Sequence, residues 1–237
     1  MLPGNPVPAA ELRTMFDRIA PIYDSMNTAM TAGLDARWRR AAVAATGLRR
    51  GGSAVDVACG SGALTRRLAA VVGVEGRVTG IDVSPGMLHQ ARRRRTPEGA
   101  CAPRYRQADA LDLPLGDRSV DAAAIAFGLR NVPDYGRALG EMARVTRPGG
   151  RVVVLEITTP ERGIGGLVAA TWFERVVPLL GRLAGAGSAY GYLPRSVRGY
   201  PPPAAIAHAM AGAGLRPVRW RRLRPGGLVT LHVGVRA

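Results

Sequence analysis

Three short stretches carry the strongest chemical signal. Asp56-Val57-Ala58-Cys59-Gly60-Ser61-Gly62 ends a β-branched apolar run and leads into a helical pattern. Glycines at 60 and 62 allow a tight turn and let a ligand approach where a Cβ would collide. Asp82 stands 20 residues beyond Gly62, at the end of the next apolar run, where a carboxylate can accept both hydroxyls of a ribose. A helix-capping role competes for Asp82, but Ser84 fills that role better. Asp109-Ala110 follows the short stretch Arg104–Gln107, read as a third strand. A side chain there can accept from an adenine amino group while backbone N–H groups reach the ring; a plain surface turn is the alternative for Asp109. Together these residues describe an adenosine site at the carboxyl ends of parallel strands.

A dinucleotide and S-adenosylmethionine both suit such a site, and two features favour the second. Ala58 stands where Gly-x-Gly-x-x-Gly would begin, and Gly60-Ser61-Gly62-Ala63-Leu64 has no third glycine in register. The sulfonium cofactor lacks a pyrophosphate, so the loop need only pass its amino-acid portion and ribose. A hydride-transfer enzyme remains the distant alternative.

The elements that must hold these residues alternate strand and helix, the pattern of βαβ units. Strands are expected over Ala54–Ala58, Arg77–Asp82, Arg104–Gln107, Asp121–Ala126 and Arg151–Glu156, with helices over Ala63–Val72, Pro85–Arg95 and Tyr135–Val145. Arg147-Pro148-Gly149-Gly150 reads as a turn. Helices are also expected over Glu11–Gly47, Ile164–Ala184 and Pro203–Ala213. Two late strands, Pro217–Leu223 and Leu228–Val235, are joined across Arg224-Pro225-Gly226-Gly227 as an antiparallel hairpin. The fold class is therefore α/β: one doubly wound, mixed sheet of seven strands, the last antiparallel, with flanking helices. A single domain over 1–237 is expected, with an N-terminal helical lid over 1–50 and a helical substrate-covering insertion over 160–214.

The 237 residues suffice for one sizeable core. No apolar run reaches the roughly 18–20 residues that cross a bilayer, and the Pro- and Ala-rich start lacks the order of a secretory signal. Cys59 and Cys101 are too few for a disulfide framework, so a reducing cytoplasm is expected. The net charge is +16, and all 33 basic residues are Arg. Coding bias explains such an excess without functional demand; an anionic membrane surface is the functional reading. Nucleic acid is disfavoured, because few aromatic platforms lie among the arginines. No His/Cys/Asp cluster has metal-ligand spacing, so no metal is expected.

Five blocks in order resemble one family, the ubiquinone/menaquinone biosynthesis C-methyltransferases, from about Met15 to the end of the chain. They are Tyr23-Asp24-Ser25-Met26-Asn27 with Trp38; Phe127-Gly128-Leu129-Arg130-Asn131-Val132-Pro133-Asp134; Arg144 to Gly150 with Leu155-Glu156; Tyr192-Leu193-Pro194-Arg195-Ser196-Val197; and Gly226 to His232. Departures from the family pattern include Asp35, often His, Thr31, often Ser, and the Gly-rich stretch 162–189. The resemblance implies the class I methyltransferase (Rossmann-like) fold and methyl transfer from S-adenosylmethionine to a ring carbon of a prenylated quinol. A related enzyme acting on a small aromatic or polyketide-like metabolite is the alternative. Matched by position, Ser61, Asp82, Asp109, Ala110 and Ala126 contact the cofactor; with the loop and its flanks the expected set is Asp56, Gly60, Ser61, Gly62, Asp82, Val83, Met87, Asp109, Ala110 and Ala126.

A quinol carbon becomes nucleophilic once its neighbouring hydroxyl loses a proton, so the site needs a base and a cation. Arg130-Asn131, just beyond the fourth strand, are the first catalytic candidates, with a loop-anchoring salt bridge as the structural alternative for Arg130. His232 is the second, although its apolar strand suits a satisfied core histidine. Tyr23, Met26, Asn27 and Trp38 are expected to close over donor and acceptor, with Tyr192 as a further acceptor contact; their spacing also suits simple packing. The expected partners are a small aromatic or prenylated quinol acceptor and a transient membrane contact, with a homodimer left open.

Overall fold

In a computed structural model the described residues are 7–160, 166–167, 171–177, 179, 187–224 and 226–237. Three helices come first, α1 (Ala9–Ile19), α2 (Tyr23–Met30) and α3 (Leu34–Thr46). The βα core follows as β1 (Ser53–Val57), α4 (Ala63–Val72), β2 (Arg77–Asp82), α5 (Pro85–Arg93), β3 (Arg104–Gln107), β4 (Val120–Ala126), α6 (Tyr135–Val145) and β5 (Thr146–Ile157). Helices α7 (Gly187–Arg198) and α8 (Pro203–Gly212) then lead to β6 (Leu215–Leu223) and β7 (Val229–Arg236).

Local sequence accounts for several of these boundaries. Ser84 caps α5 by accepting from the Met87 N–H, Pro85 opens the helix, and Arg92 and Arg93 close it. Asp134 caps α6 by accepting from the Arg137 N–H, and a stripe through Ala138, Leu139 and Met142 faces the sheet.

The seven strands form one sheet in the order β3-β2-β1-β4-β5-β7-β6. β1 to β5 pair in parallel, and β7 runs antiparallel between β5 and β6. Alternation along the strands serves a core on each face. Val152 and Val154 pack with Leu139, Met142 and Ile206, while Val153 and Leu155 pack with Trp38, Leu64 and Leu68. The strand order reverses between β1 and β4, which opens a crevice at their carboxyl ends.

Two local readings are corrected. Helix α5 stops at Arg93 because Arg94 is already extended. The expected turn at 147–150 is a bulge within β5: Val120 pairs with Thr146 but Ala122 with Arg151, and Gly149 at φ +75° takes up the surplus. Helix α7 lies within the stretch 160–214 expected to be helical and continues through Pro194. The helix expected over 164–184 falls largely outside the described residues, where a π-helical turn at Trp172–Val176 is seen.

Candidate active site

The loop after β1 and the loop after β4 meet at the crevice, and each turns on a non-glycine residue in the left-handed region, Ala58 (φ +50°) and Phe127 (φ +62°). Such backbone costs on the order of 1–3 kcal/mol per residue and persists where the surroundings enforce it. Phe127 N–H is held by the Leu155 carbonyl at 2.7 Å. The two loops touch so closely that a Cβ on Gly128 would lie 2.7 Å from the Ala58 Cβ.

Asp82 ties the first loop to β2. Its Oδ2 accepts from Gly60 N–H at 2.8 Å and its Oδ1 from Ser84 N–H at 2.9 Å. Burial pushes this carboxyl above the usual carboxylate range and outweighs the backbone donors of Ser84, Gly60 and Val83 that favour the charged form. Around it lies a cavity of about 120 Å³ whose wall includes Gly60, Ser61, Asp82, Val83, Met87, Asp109, Ala110, Ala126 and Asn131. Leu12, Arg13 and Phe16 of α1 close it from the N-terminal side. The wall suits an adenosyl group: each Asp82 oxygen keeps a lone pair for a ribose hydroxyl, and Ile81, Met87 and Ala110 offer an apolar slot for a flat ring. Asp109 turns the chain by accepting from Leu111 N–H at 2.9 Å, and it also lines the cavity.

Beside it lies a larger, mainly apolar cavity of about 550 Å³, walled by Tyr23, Asn27, Trp38, Arg130 and Trp172 among others. Tyr23, Arg39 and Phe127 are the described residues that line both. Trp38 Nε1 donates to the Arg224 carbonyl at 3.4 Å, and Trp172 Nε1 donates to the Met30 carbonyl at 2.8 Å.

The remaining expected residues sit one layer away. Asp56 lies beneath the loop, 1% exposed, accepting from the Thr65 hydroxyl at 2.5 Å. Gly62 faces inward, where a Cβ would meet the Tyr105 hydroxyl oxygen at 2.5 Å. Met26 packs in the cluster formed by Ile19, Met30 and Met87. Tyr192 is buried and donates to Asn131 Oδ1 at 3.0 Å, so it positions Asn131 without lining either cavity. His232 is not brought to the site: it is fully buried, its Nε2 is 2.9 Å from the Pro203 carbonyl, and burial lowers its pKa. Arg130 reaches the larger cavity, but its Nη1 donates to Glu156 Oε1 and to the Phe127 carbonyl, each at 2.6 Å. Burial alone would lower its pKa; the Glu156 carboxylate reverses that and raises it.

The ubiE/COQ5 methyltransferase family model matches residues 7–236. The chain belongs to the ubiE/COQ5 methyltransferase family. It is 45% identical over 224 residues to a demethylmenaquinone methyltransferase of Thermus thermophilus, covering 94% of this chain and 100% of that one. It is 40% identical over 231 residues to the ubiquinone/menaquinone biosynthesis C-methyltransferase of Syntrophotalea carbinolica, covering 97% and 96%. In three dimensions it resembles a SAM-dependent methyltransferase from Thermotoga maritima, with a TM-score of 0.61 at 19% identity, over 94% of this chain and 99% of that one. The fold is therefore that of the class I methyltransferases and the enzyme's cofactor is S-adenosylmethionine.

Several residues that shape this methyltransferase's site carry no local signal of their role. Asp17 of α1 accepts from the Ser84 hydroxyl at 2.6 Å and from Gly86 N–H at 2.9 Å. Asp24 of α2 accepts from the Ser61 hydroxyl and pairs with Arg94 at 3.1 Å. Asp24 and Phe127 stand within family-like blocks that do not indicate these roles, and Arg39 is one arginine among 33 basic residues. Spatial pairing, which no local pattern records, is what distinguishes them.

Burial pushes the Asp56 carboxyl up to about 7. A folded pKa above the unfolded value near 3.9 means the native state binds the extra proton. The associated stability is complete below about pH 4 and is lost as pH rises through about 7. Asp56→Asn should therefore gain on the wild type across that window, by on the order of 4 kcal/mol at about 1.4 kcal/mol per unit of difference, and then level off. Denaturant unfolding of both proteins at several pH values measures this. A difference that stays flat from pH 4 to 8 contradicts the assignment.

Proposed function

We propose that the enzyme transfers the methyl of S-adenosylmethionine to a ring carbon of a prenylated quinol of the demethylmenaquinol type, working in the cytoplasm beside a membrane. The observation that carries this reading is the apolar cavity of about 550 Å³ set against the cofactor pocket across Tyr23, Arg39 and Phe127. Its volume lies within the roughly 300–1,000 Å³ of small-molecule sites, and its wall is suited to a flat aromatic ring and an isoprenoid tail. The 45%-identical relative named demethylmenaquinone methyltransferase supports the same acceptor.

When bound, S-adenosylmethionine supplies a methyl already activated by its sulfonium. The chain's task is to align, to dry the site and to manage a proton. Asp82 and the Gly60 loop orient the ribose; Met87 and Ala110 flank the adenine, and Asp109 accepts from its amino group. Phe127, Trp38 and Tyr23 exclude water from the path between the cavities. In this reading the helices within 1–50 act as a lid and the chain over 160–214 covers the acceptor. The exposed apolar side chains of Leu167 (69% exposed) and Leu179 (53%), with Trp172, which also lines the cavity, suit a transient contact with the bilayer that holds the acceptor.

Incubating the purified protein with S-adenosylmethionine and a short-chain demethylmenaquinol should yield the ring-methylated quinol by mass spectrometry. Intact cofactor binding without turnover of any prenylated quinol would overturn the acceptor assignment.

A further inference from the structure

Among its described lining residues, the acceptor cavity has three charged side chains, Asp35, Arg39 and Arg130. Arg130 is committed to Glu156 and to the Phe127 carbonyl. Arg39 is differently placed. Its side chain is 8% exposed, and its Nε is buried with no hydrogen-bond partner among the described residues. The nearest carboxylate oxygen, Asp35 Oδ2, is 3.7 Å away, an ion pair too long for a hydrogen bond. The guanidinium is held in place by the Phe127 ring, whose centroid lies 5.0 Å from it. Asp35, one turn earlier on α3, accepts only a long 3.3 Å bond from the Thr31 hydroxyl at Oδ1.

A buried guanidinium with an unused donor, beside a carboxylate with unused lone pairs, is costly facing an apolar cavity unless a ligand engages both. Arg39 also lines the cofactor pocket, so it stands where donor and acceptor must meet. The always-charged, forked guanidinium suits an aryl oxyanion.

We propose that Arg39 and Asp35 are catalytic residues that act as a pair on the acceptor. Arg39 donates to the ring oxygen next to the methylated carbon, and Asp35 takes that oxygen's proton. This rests on the quinol reading above. The O–H bond breaks and its proton passes to an Asp35 oxygen. The electron pair left on the ring oxygen is shared with the adjacent ring carbon. That carbon forms the new C–C bond to the methyl, while the pair of the breaking C–S bond stays on sulfur. The methylated carbon then releases its hydrogen as a proton, the ring regains aromaticity, and the oxygen recovers a proton from Asp35. One proton reaches solvent for each methyl transferred.

Two measurements on the full-length enzyme test the pair. In the first, a 1-naphthol is bound without cofactor and its ionisation followed by naphtholate absorbance. The wild type should ionise it at lower pH than free solution by about one unit or more, and Arg39→Met should abolish the shift. In the second, Asp35→Asn should lower kcat on a demethylmenaquinol analogue by about 10²-fold or more. It should keep near wild-type kcat on a halogenated naphthol already ionised at the assay pH, a recovery that a purely structural role for Asp35 would not give. The proposal is overturned if Arg39→Met retains the naphthol shift, or if Asp35→Asn stays within about threefold of wild type on the quinol or loses equally on both acceptors. Should the wild type methylate no quinol, the acceptor reading fails, and the naphthol ionisation still decides the role of the pair.

Discussion

Asp82→Ala is expected to weaken S-adenosylmethionine binding by about 10²–10⁴-fold. Asp82 accepts backbone N–H groups from Gly60 at Oδ2 and from Ser84 at Oδ1, and its remaining acceptor capacity faces the cavity for the ribose hydroxyls. Hydrogen bonds to a charged group contribute about 1.5–3 kcal/mol each, so two lost bonds amount to about 3–6 kcal/mol, at about 1.4 kcal/mol for each tenfold. Alanine also releases Gly60, and with it the bend that clears the amino-acid portion of the cofactor. Asp82→Asn should bind nearly as weakly, because its amide NH₂ must point at one of two N–H groups that need an acceptor. Titration calorimetry measures both. Wild-type affinity in the alanine variant would remove the ribose assignment.

Glu156→Ala should be the most destabilising single change near the site. Glu156 is fully buried and accepts from the Arg130 guanidinium and from the backbone N–H groups of Arg130 and Ile157. Its loss strands the Arg130 cation in the core, a defect that costs about 3–5 kcal/mol. For a chain of this length that lowers Tm by about 6–20 °C, at about 2–4 °C per kcal/mol. The double variant Arg130→Met, Glu156→Leu removes both charges and should recover much of the loss. Differential scanning calorimetry distinguishes the two outcomes. Equal midpoints for the single variant and wild type would mean the pair does not anchor the loop.

The strands and the cofactor loop were legible because their signals are local. The β-branched runs of β1, β2 and β4, the glycines at 60 and 62 and the carboxylate closing β2 each follow from neighbours within a few residues. The β5 bulge was not legible, since Arg147 to Gly150 has turn chemistry whether or not the strand resumes on both sides. The placement of Arg130 needed Glu156, 26 residues away, and that of His232 needed the Pro203 carbonyl, 29 residues away. Arg39 reads as an ordinary helical arginine until Phe127 is folded beneath it. Positions that depend on which distant residue lands opposite leave no periodic trace.

The first turn of α5 is held from outside by Asp17, which crowds Gly86 so tightly that a Cβ there would lie 2.9 Å from its Oδ1. The same carboxylate contributes to raising the pKa of Asp82. Leu12, Arg13 and Phe16 of that helix wall the cavity beside Asp82, so on the proposed reading a cofactor exchanging on this side would meet α1. One aspartate latches α1 to the first turn of α5, so on the proposed reading α1 docking and cofactor grip share the same carboxylate.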